Sequence, residues 1–156
     1  MKFERLSNSA EETGQTGFQI GSMVPAGAVI ALQGPLGGGK TCFVQGIALG
    51  LGIVNEVVSP TYTLVIPYSG RLKLLHVDAY RIRDADELME LALEEELETG
   101  AVLAIEWFSR FENEFPAADV IVTFADGKTE FQRIISIESC SEAGREVVAR
   151  LSSTSP

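Results

Sequence analysis

The sequence predicts an α/β protein, with three layers built on a mixed, mostly parallel sheet and antiparallel strands toward one side. Three observations predict it. Short unbroken apolar runs, AVIAL at 28–32 and AVLAI at 101–105, fit strands buried on both faces. Stretches with helical spacing alternate with them, as in parallel α/β layering. Toward the C-terminus, DVIVTFADGKTEFQRIISI reads as a hairpin, which adds antiparallel strands beside the parallel ones.

The elements follow in order. Residues 1–27 are mixed, with Thr13, Gly14 and Gly17 interrupting any apolar period. A strand at 28–32 leads into a glycine-rich loop. Val44, Ile47, Ala48 and Leu51 then recur at i, i+3, i+4 and i+7, one face of a helix that Gly50 and Gly52 end. EVVSPTYTLVIPYS is extended chain kinked at Ser59-Pro60, and a strand through 72–77 ends at Asp78. DADELMELALEEELETG is one helix, capped by Asp84 or Asp86, buried through Leu88, Leu91 and Ala92, and stopped by Gly100. The run Glu94 to Glu96 is a solvated face. A second buried strand ends at Glu106, the hairpin turns at Asp126-Gly127, and a helix over about 141–151 precedes a polar tail.

At 156 residues the chain is read as one domain, able to bury about 70% of its unfolded surface without staples. No apolar run approaches the roughly 18 residues of a membrane helix, and no apolar core follows the N-terminal basic residues. Cys42 and Cys140 have no metal-type spacing and read as reduced thiols, so a cytoplasmic protein is expected. A net charge of −10 disfavours direct grip on DNA or RNA, which relies on cations neutralising phosphates.

The loop GPLGGGKT matches G-x-x-x-x-G-K-[ST] in full through Gly34, Gly39, Lys40 and Thr41. Such a loop works because backbone N–H groups converge on phosphate oxygens where side chains would block the approach. The following helix adds the positive end of its dipole. Lys40 would reach the β- and γ-phosphates, and the Thr41 hydroxyl would bind Mg²⁺. A chance match in a chain of this length is on the order of one per cent, and placement between a buried strand and an amphipathic helix makes it rarer. The cradle runs over Leu36, Gly37, Gly38, Gly39, Lys40, Thr41 and Cys42. Pro35 has no N–H to donate, and Cys42, taken alone, is a small packed residue.

A phosphoryl-transfer site needs a second hold on Mg²⁺, from an acid at the end of a neighbouring buried strand. Asp78 and Glu106 both qualify, and the residues alone do not choose between them. His76, the only histidine, reads equally as a structural residue or a site residue. Arg81 either offsets phosphate charge or pairs with a nearby acid. Ser59-Pro60-Thr61 reads as a bend or as a switch whose hydroxyl senses the γ-phosphate.

GPLGGGKT, SPTYTLV, HVDAYR and LAIEW occur in the order and rough spacing of a known family. The chain resembles the small bacterial ATPases required for threonylcarbamoyladenosine modification of tRNA, the TsaE (YjeE) family. The likeness runs over about residues 7–135; LMELALEEELETGAVLAIEW shares in it, and SNSAEET, which ends at Thr13, does so more weakly. The resemblance implies a single P-loop NTPase-like domain spanning 1–156, with ATP and Mg²⁺ as cofactors. It implies ATP hydrolysis in support of a complex of the threonylcarbamoyl transferase with its inactive paralogue, tRNA being met only through that complex. It puts the metal pair on Thr41 and Glu106 and sets Asp78 toward the γ-phosphate. It also makes Thr61 the switch threonine, adds Thr13 to the nucleotide contacts, and sets Trp107 near the site. The chain departs from the family pattern at Pro35, Gly38, Cys42 and Phe108.

Catalysis in such a site is mostly positioning and charge stabilisation by Lys40, Asp78, Glu106 and Thr61. Two other readings compete. A small-molecule kinase would need an acceptor pocket and usually an arginine-bearing lid, and no lid insertion is visible. A nucleotide-dependent binding module with negligible hydrolysis would use the same cradle.

Overall fold

The protein is described here by a computed structural model covering residues 1–35, 37, 39–54, 57, 64–106, 111 and 113–154. Its elements are β1 (Lys2–Ser7), α1 (Ala10–Met23), β2 (Val29–Gln33), α2 (Lys40–Gly50), β3 (Val65–Tyr68) and β4 (Leu74–Asp78). They continue with α3 (Ala85–Glu90), α4 (Leu93–Glu98), β5 (Val102–Glu106), β6 (Val120–Asp126), β7 (Arg133–Ser139) and α5 (Glu142–Ser153). One 3₁₀ turn, Ala79–Arg81, follows β4.

The strands form one sheet in the order β1-β7-β6-β2-β5-β4-β3. The four central strands β6, β2, β5 and β4 pair in parallel. On one side β7 reverses against β6 and β1 reverses again against β7. That is the mixed, mostly parallel sheet the sequence predicts, with its hairpin to one side. One further reversal, β3 against β4, sits at the opposite edge.

Alternation along the central strands splits the core into two layers. Ile30, Leu32, Leu74, Val102, Ala104, Val120 and Val122 pack with Ile20, Phe43, Val44, Ile47, Val148 and Leu151 from α1, α2 and α5. Val29, Ala31, Leu75, Val77, Leu103 and Ile105 face the other way, onto Leu88, Leu93 and Phe115.

Three parts of the chain differ from the sequence reading. The N-terminal segment is a strand and a helix. Ser9 caps α1 by accepting from the Glu12 amide (3.1 Å), and the Glu12 carboxylate accepts from the amide of Asn8, the residue before the cap (2.7 Å), a variant of the capping box. Its glycines are not breakers. A side chain on Gly17 would overlap the Phe43 carbonyl, and one on Gly46 would overlap the Gly14 carbonyl. They let α1 and α2 touch backbone to backbone. The acidic segment is two short helices, not one. Asp84 caps the first, accepting from the Glu87 amide at 2.9 Å. The break comes at Ala92, whose φ is 51°, so Leu93 turns into the core and Ala92 is exposed. The hairpin is also longer than a tight Asp126-Gly127 turn: residues 127–132 link β6 to β7, closed by the Gly127 amide on the Gln132 carbonyl (2.9 Å).

Candidate functional site

The glycine loop leaves the C-terminal end of β2 and enters α2 at Lys40. Gly39 precedes the helix at φ 103°, a left-handed conformation that suits glycine. The N-cap residue is a glycine and offers no side-chain cap, and a helix start without one is the arrangement that receives an anion. Gly34 is pinned from behind: a Cβ there would stand 2.8 Å from the Phe124 carbonyl oxygen.

Lys40 is buried, and its ammonium donates to the carbonyls of Gly34 (2.6 Å) and Pro35 (3.2 Å). Pro35 lacks an N–H, yet it serves the loop as an acceptor. Burial pushes the Lys40 pKa down, and the nearby carboxylates of Glu106 and Asp78 oppose that shift. The lysine and both acids therefore share one electrostatic neighbourhood.

Register explains why. Asp78 ends β4 and lies opposite Glu106, the end of β5, while Glu106 lies opposite Leu32 near the end of β2. The three strands finish together beside the start of α2, where ligands of open α/β sheets gather. Burial raises the Asp78 pKa, the Tyr80 amide that donates to its Oδ1 (3.0 Å) lowers it, and Glu106 raises it again. Arg81 and His76 lower it further, Arg81 through an ion pair of 3.4 Å.

His76 shares a face with Asp78 and is wholly buried. Its Nε2 bonds Oε2 of Glu106 at 2.5 Å, while its Nδ1 has no hydrogen-bond partner among the described residues. The pair fixes the Glu106 carboxylate by one oxygen. Of the two readings left open for His76, the geometry favours a site role, as an orienting group.

Thr41 and Cys42 follow in the first turn of α2, both half-buried. Thr13 is buried, its hydroxyl 2.7 Å from the Ser7 hydroxyl and its methyl group turned toward Gly39. Thr13, Gly37, Gly39 and Cys42 line a hollow of about 150 Å³ beside the loop, together with Phe131 from the hairpin connection and Arg133 at the start of β7. Phe131 is largely exposed at its mouth, and Arg133 donates to the Gly37 carbonyl at 3.1 Å. Sequence reasoning missed both. The signal available was an aromatic in the hairpin connection with an arginine two residues on, in an otherwise acidic chain. Leu36, Gly38, Ser59, Pro60, Thr61, Trp107 and Phe108 lie outside the described residues.

The donor set fits magnesium. Among the described residues no three His, Cys, Asp or Glu side chains cluster tightly enough to cage an ion. Mg²⁺ is normally held by one or two protein oxygens, substrate phosphates and water, which a Glu106 carboxylate beside a phosphate cradle can offer.

Comparison with known proteins places the chain in a family. The profile of the family described as threonylcarbamoyl adenosine biosynthesis protein TsaE matches residues 7–135. The tRNA threonylcarbamoyladenosine biosynthesis protein TsaE of Treponema pallidum is 41% identical over 128 residues, 80% of this chain and 95% of its own. The protein of the same name from Bacillus subtilis is 39% identical over 107 residues, 68% of this chain and 66% of its own. The crystal structure of Bacillus subtilis YdiB superposes with a TM-score of 0.84 at 26% identity, covering 98% of this chain and 95% of that one.

Proposed function

The chain belongs to the TsaE family of threonylcarbamoyl adenosine biosynthesis proteins, and from that membership we propose that it is a Mg²⁺-dependent ATPase, one domain over 1–156, supporting threonylcarbamoyladenosine modification of tRNA. The observation that carries the reading is the meeting of buried Lys40 with Asp78 and Glu106 beside an uncapped helix N-terminus.

In this reading the amides of residues 36–41 hold the phosphates of ATP, and Lys40 leaves the Gly34 and Pro35 carbonyls to meet the β- and γ-oxygens. Thr41 and Glu106 hold the metal, whose chemistry is to neutralise charge on the phosphates. His76 engages Oε2 of Glu106, which would leave Oε1 as the oxygen to hold the ion. Asp78 orients the attacking water and Thr61 senses the γ-phosphate. The hollow at Thr13 takes the nucleoside, with Cys42 at its wall and Phe131 offering a ring for the base to stack on. The protein works in the cytoplasm with the threonylcarbamoyl transferase subunit and its inactive paralogue, and meets tRNA through them. Its acidic surface suits that division of labour. No helix among the described residues is long and apolar enough to cross a membrane.

Calorimetric titration with Mg-ATP tests the core of this reading. Wild-type protein should bind and release inorganic phosphate on incubation. Lys40→Ala removes charge-assisted hydrogen bonds worth about 1.5–3 kcal/mol each, so affinity should fall at least about tenfold. A wild-type chain that neither binds nor hydrolyses ATP sinks the proposal.

A further inference from the structure

Two cations grip the glycine loop through its carbonyl oxygens. Lys40 takes its beginning, at Gly34 and Pro35. Further along, the Gly37 carbonyl accepts from Nη2 of Arg133 at 3.1 Å, and from no other described residue. Packing does not fix the loop at that point: on the side where a Cβ of Gly37 would stand, nothing lies within 4 Å. Transfer of Lys40 to phosphate gives up the first grip. The second does not depend on Lys40.

Arg133 acts from an ordered support. Register sets it opposite Asp126, where the β6–β7 ladder begins. Its Nη1 donates back to the carbonyls of Glu130 (2.7 Å) and Gln132 (2.9 Å). Gln132 braces the same connection, its side chain accepting from the Lys128 amide (2.8 Å) and donating to Asn8 (3.0 Å), just ahead of α1. The Arg133 side chain is only 21% exposed. Its Nε is buried without a hydrogen bond among the described residues, with Asp126 no closer than 3.9 Å. A buried donor left unmatched costs stability, and the arrangement tolerates it while one planar guanidinium joins the hairpin connection to the glycine loop.

We propose that Arg133 is a positioning residue for nucleotide binding, holding the Gly37 carbonyl so that the loop has its phosphate-receiving shape before the nucleotide arrives and keeps it after Lys40 moves. A trans peptide sets its N–H opposite its C=O. Drawing the Gly37 carbonyl to Arg133 turns the amide of the same peptide link away from the hairpin, toward the phosphate. A loop shaped in advance loses less freedom on binding, which raises affinity. Arg133 itself touches no phosphate. The inference deepens the ATP reading and rests on it.

The test is calorimetry of the full chain with Mg-ADP and with Mg-ATP, joined to amide NMR spectra of the nucleotide-free protein. Arg133→Ala should weaken both nucleotides about tenfold and by the same factor, because a shaped loop serves either. Arg133→Lys keeps the charge but replaces a planar fork with a point donor, and should weaken both nearly as much. Without nucleotide, the Gly37 and Gly39 amide signals should move or broaden in each variant. Those of Gly21 and Gly50, at the far end of the α1–α2 contact, should stay in place, which verifies the fold. Should Arg133→Ala fail to fold, Arg133→Lys carries both measurements. Variants that bind like wild type overturn the inference and leave the ATP reading intact. Full rescue by lysine, or a loss confined to ATP, would make Arg133 a charge on the phosphate and overturn the positioning role. Gly21 and Gly50 signals that shift with the loop would make it a residue of the fold at large and overturn that role too. A wild type that binds neither nucleotide overturns the ATP reading, and the inference with it.

Discussion

Asp78 sits half-buried at the end of β4, and burial pushes its carboxyl above the ordinary 3.8. Two favourable contacts, the Tyr80 amide and Arg81, do not offset that penalty. A raised carboxyl has a definite consequence for stability. Between 3.8 and its native value the folded state holds more protons than the unfolded chain, so stability falls as pH climbs through that window and then levels off. Asp78→Asn removes the titration. Urea unfolding from about pH 4 to about pH 8 should show the variant losing less stability over that range and exceeding wild type near neutrality. Identical pH profiles would show that Asp78 carries no such cost. Positions of this kind were legible in the sequence because the cues are local: Gly34, Gly39 and Lys40 lie in one loop, and Asp78 and Glu106 each close an apolar run. His76 was not resolved from a structural role because its partner Glu106 is thirty residues away and becomes adjacent only through the β4–β5 register. Phe131 and Arg133 were invisible for a related reason, since pairing of β7 with β6 and β1 brings them to the loop.

α1 and α2 form the contact that holds the cradle from the side. Their glycines interlock so closely that a methyl group on Gly46 would strike the Gly14 carbonyl. Gly46→Ala must therefore separate the helices, and overpacking of this kind costs about 1–3 kcal/mol. In a thermal melt that is a fall of about 2–4 °C per kcal/mol for a chain of this size. Because the Thr13 methyl group borders Gly39, nucleotide affinity should drop along with stability. An unchanged melting temperature would mean the helices accommodate a side chain there. This helix pair misled the reading of residues 1–27. Apolar periodicity is the usual helix signal, but α1 puts glycine on its contact face at 14, 17 and 21, a helical spacing of three and four that substitutes closeness for apolar bulk. The Ser9–Glu12 capping box marked its start. The acidic helix erred in the opposite direction. Its pattern was continuous, and nothing local announces that Ala92 takes a conformation usually reserved for glycine.

Across the whole molecule the sheet collects Lys40, Asp78 and Glu106 at the C-terminal ends of its central strands, and among the described residues few cations join them there. Parallel β2, β5 and β4 were readable from their apolar runs and long connections. The reversed β3 follows from the short link at 69–73, which can join only antiparallel neighbours. Phosphoryl transfer spreads negative charge over the γ-phosphate oxygens, and a second cation placed there is worth about 10³–10⁵ in rate. Lys40 supplies one. Arg81 is held by Asp78 at 3.4 Å, and Arg133 donates to the carbonyls of Gly37, Glu130 and Gln132. Both are engaged by groups of this chain, and a net charge of −10 adds a field that opposes charge build-up. Isolated protein should hence hydrolyse ATP slowly, and assembly with the transferase subunits should speed phosphate release at least about tenfold, by contributing a cation or drawing Arg81 away from Asp78. Single-turnover phosphate release, measured with and without those subunits, decides it. The two sources also separate: Arg81→Ala abolishes the acceleration if Arg81 is the cation and leaves it if the partner supplies one. Equal rates for the isolated and assembled chain would mean that the site is complete as it stands.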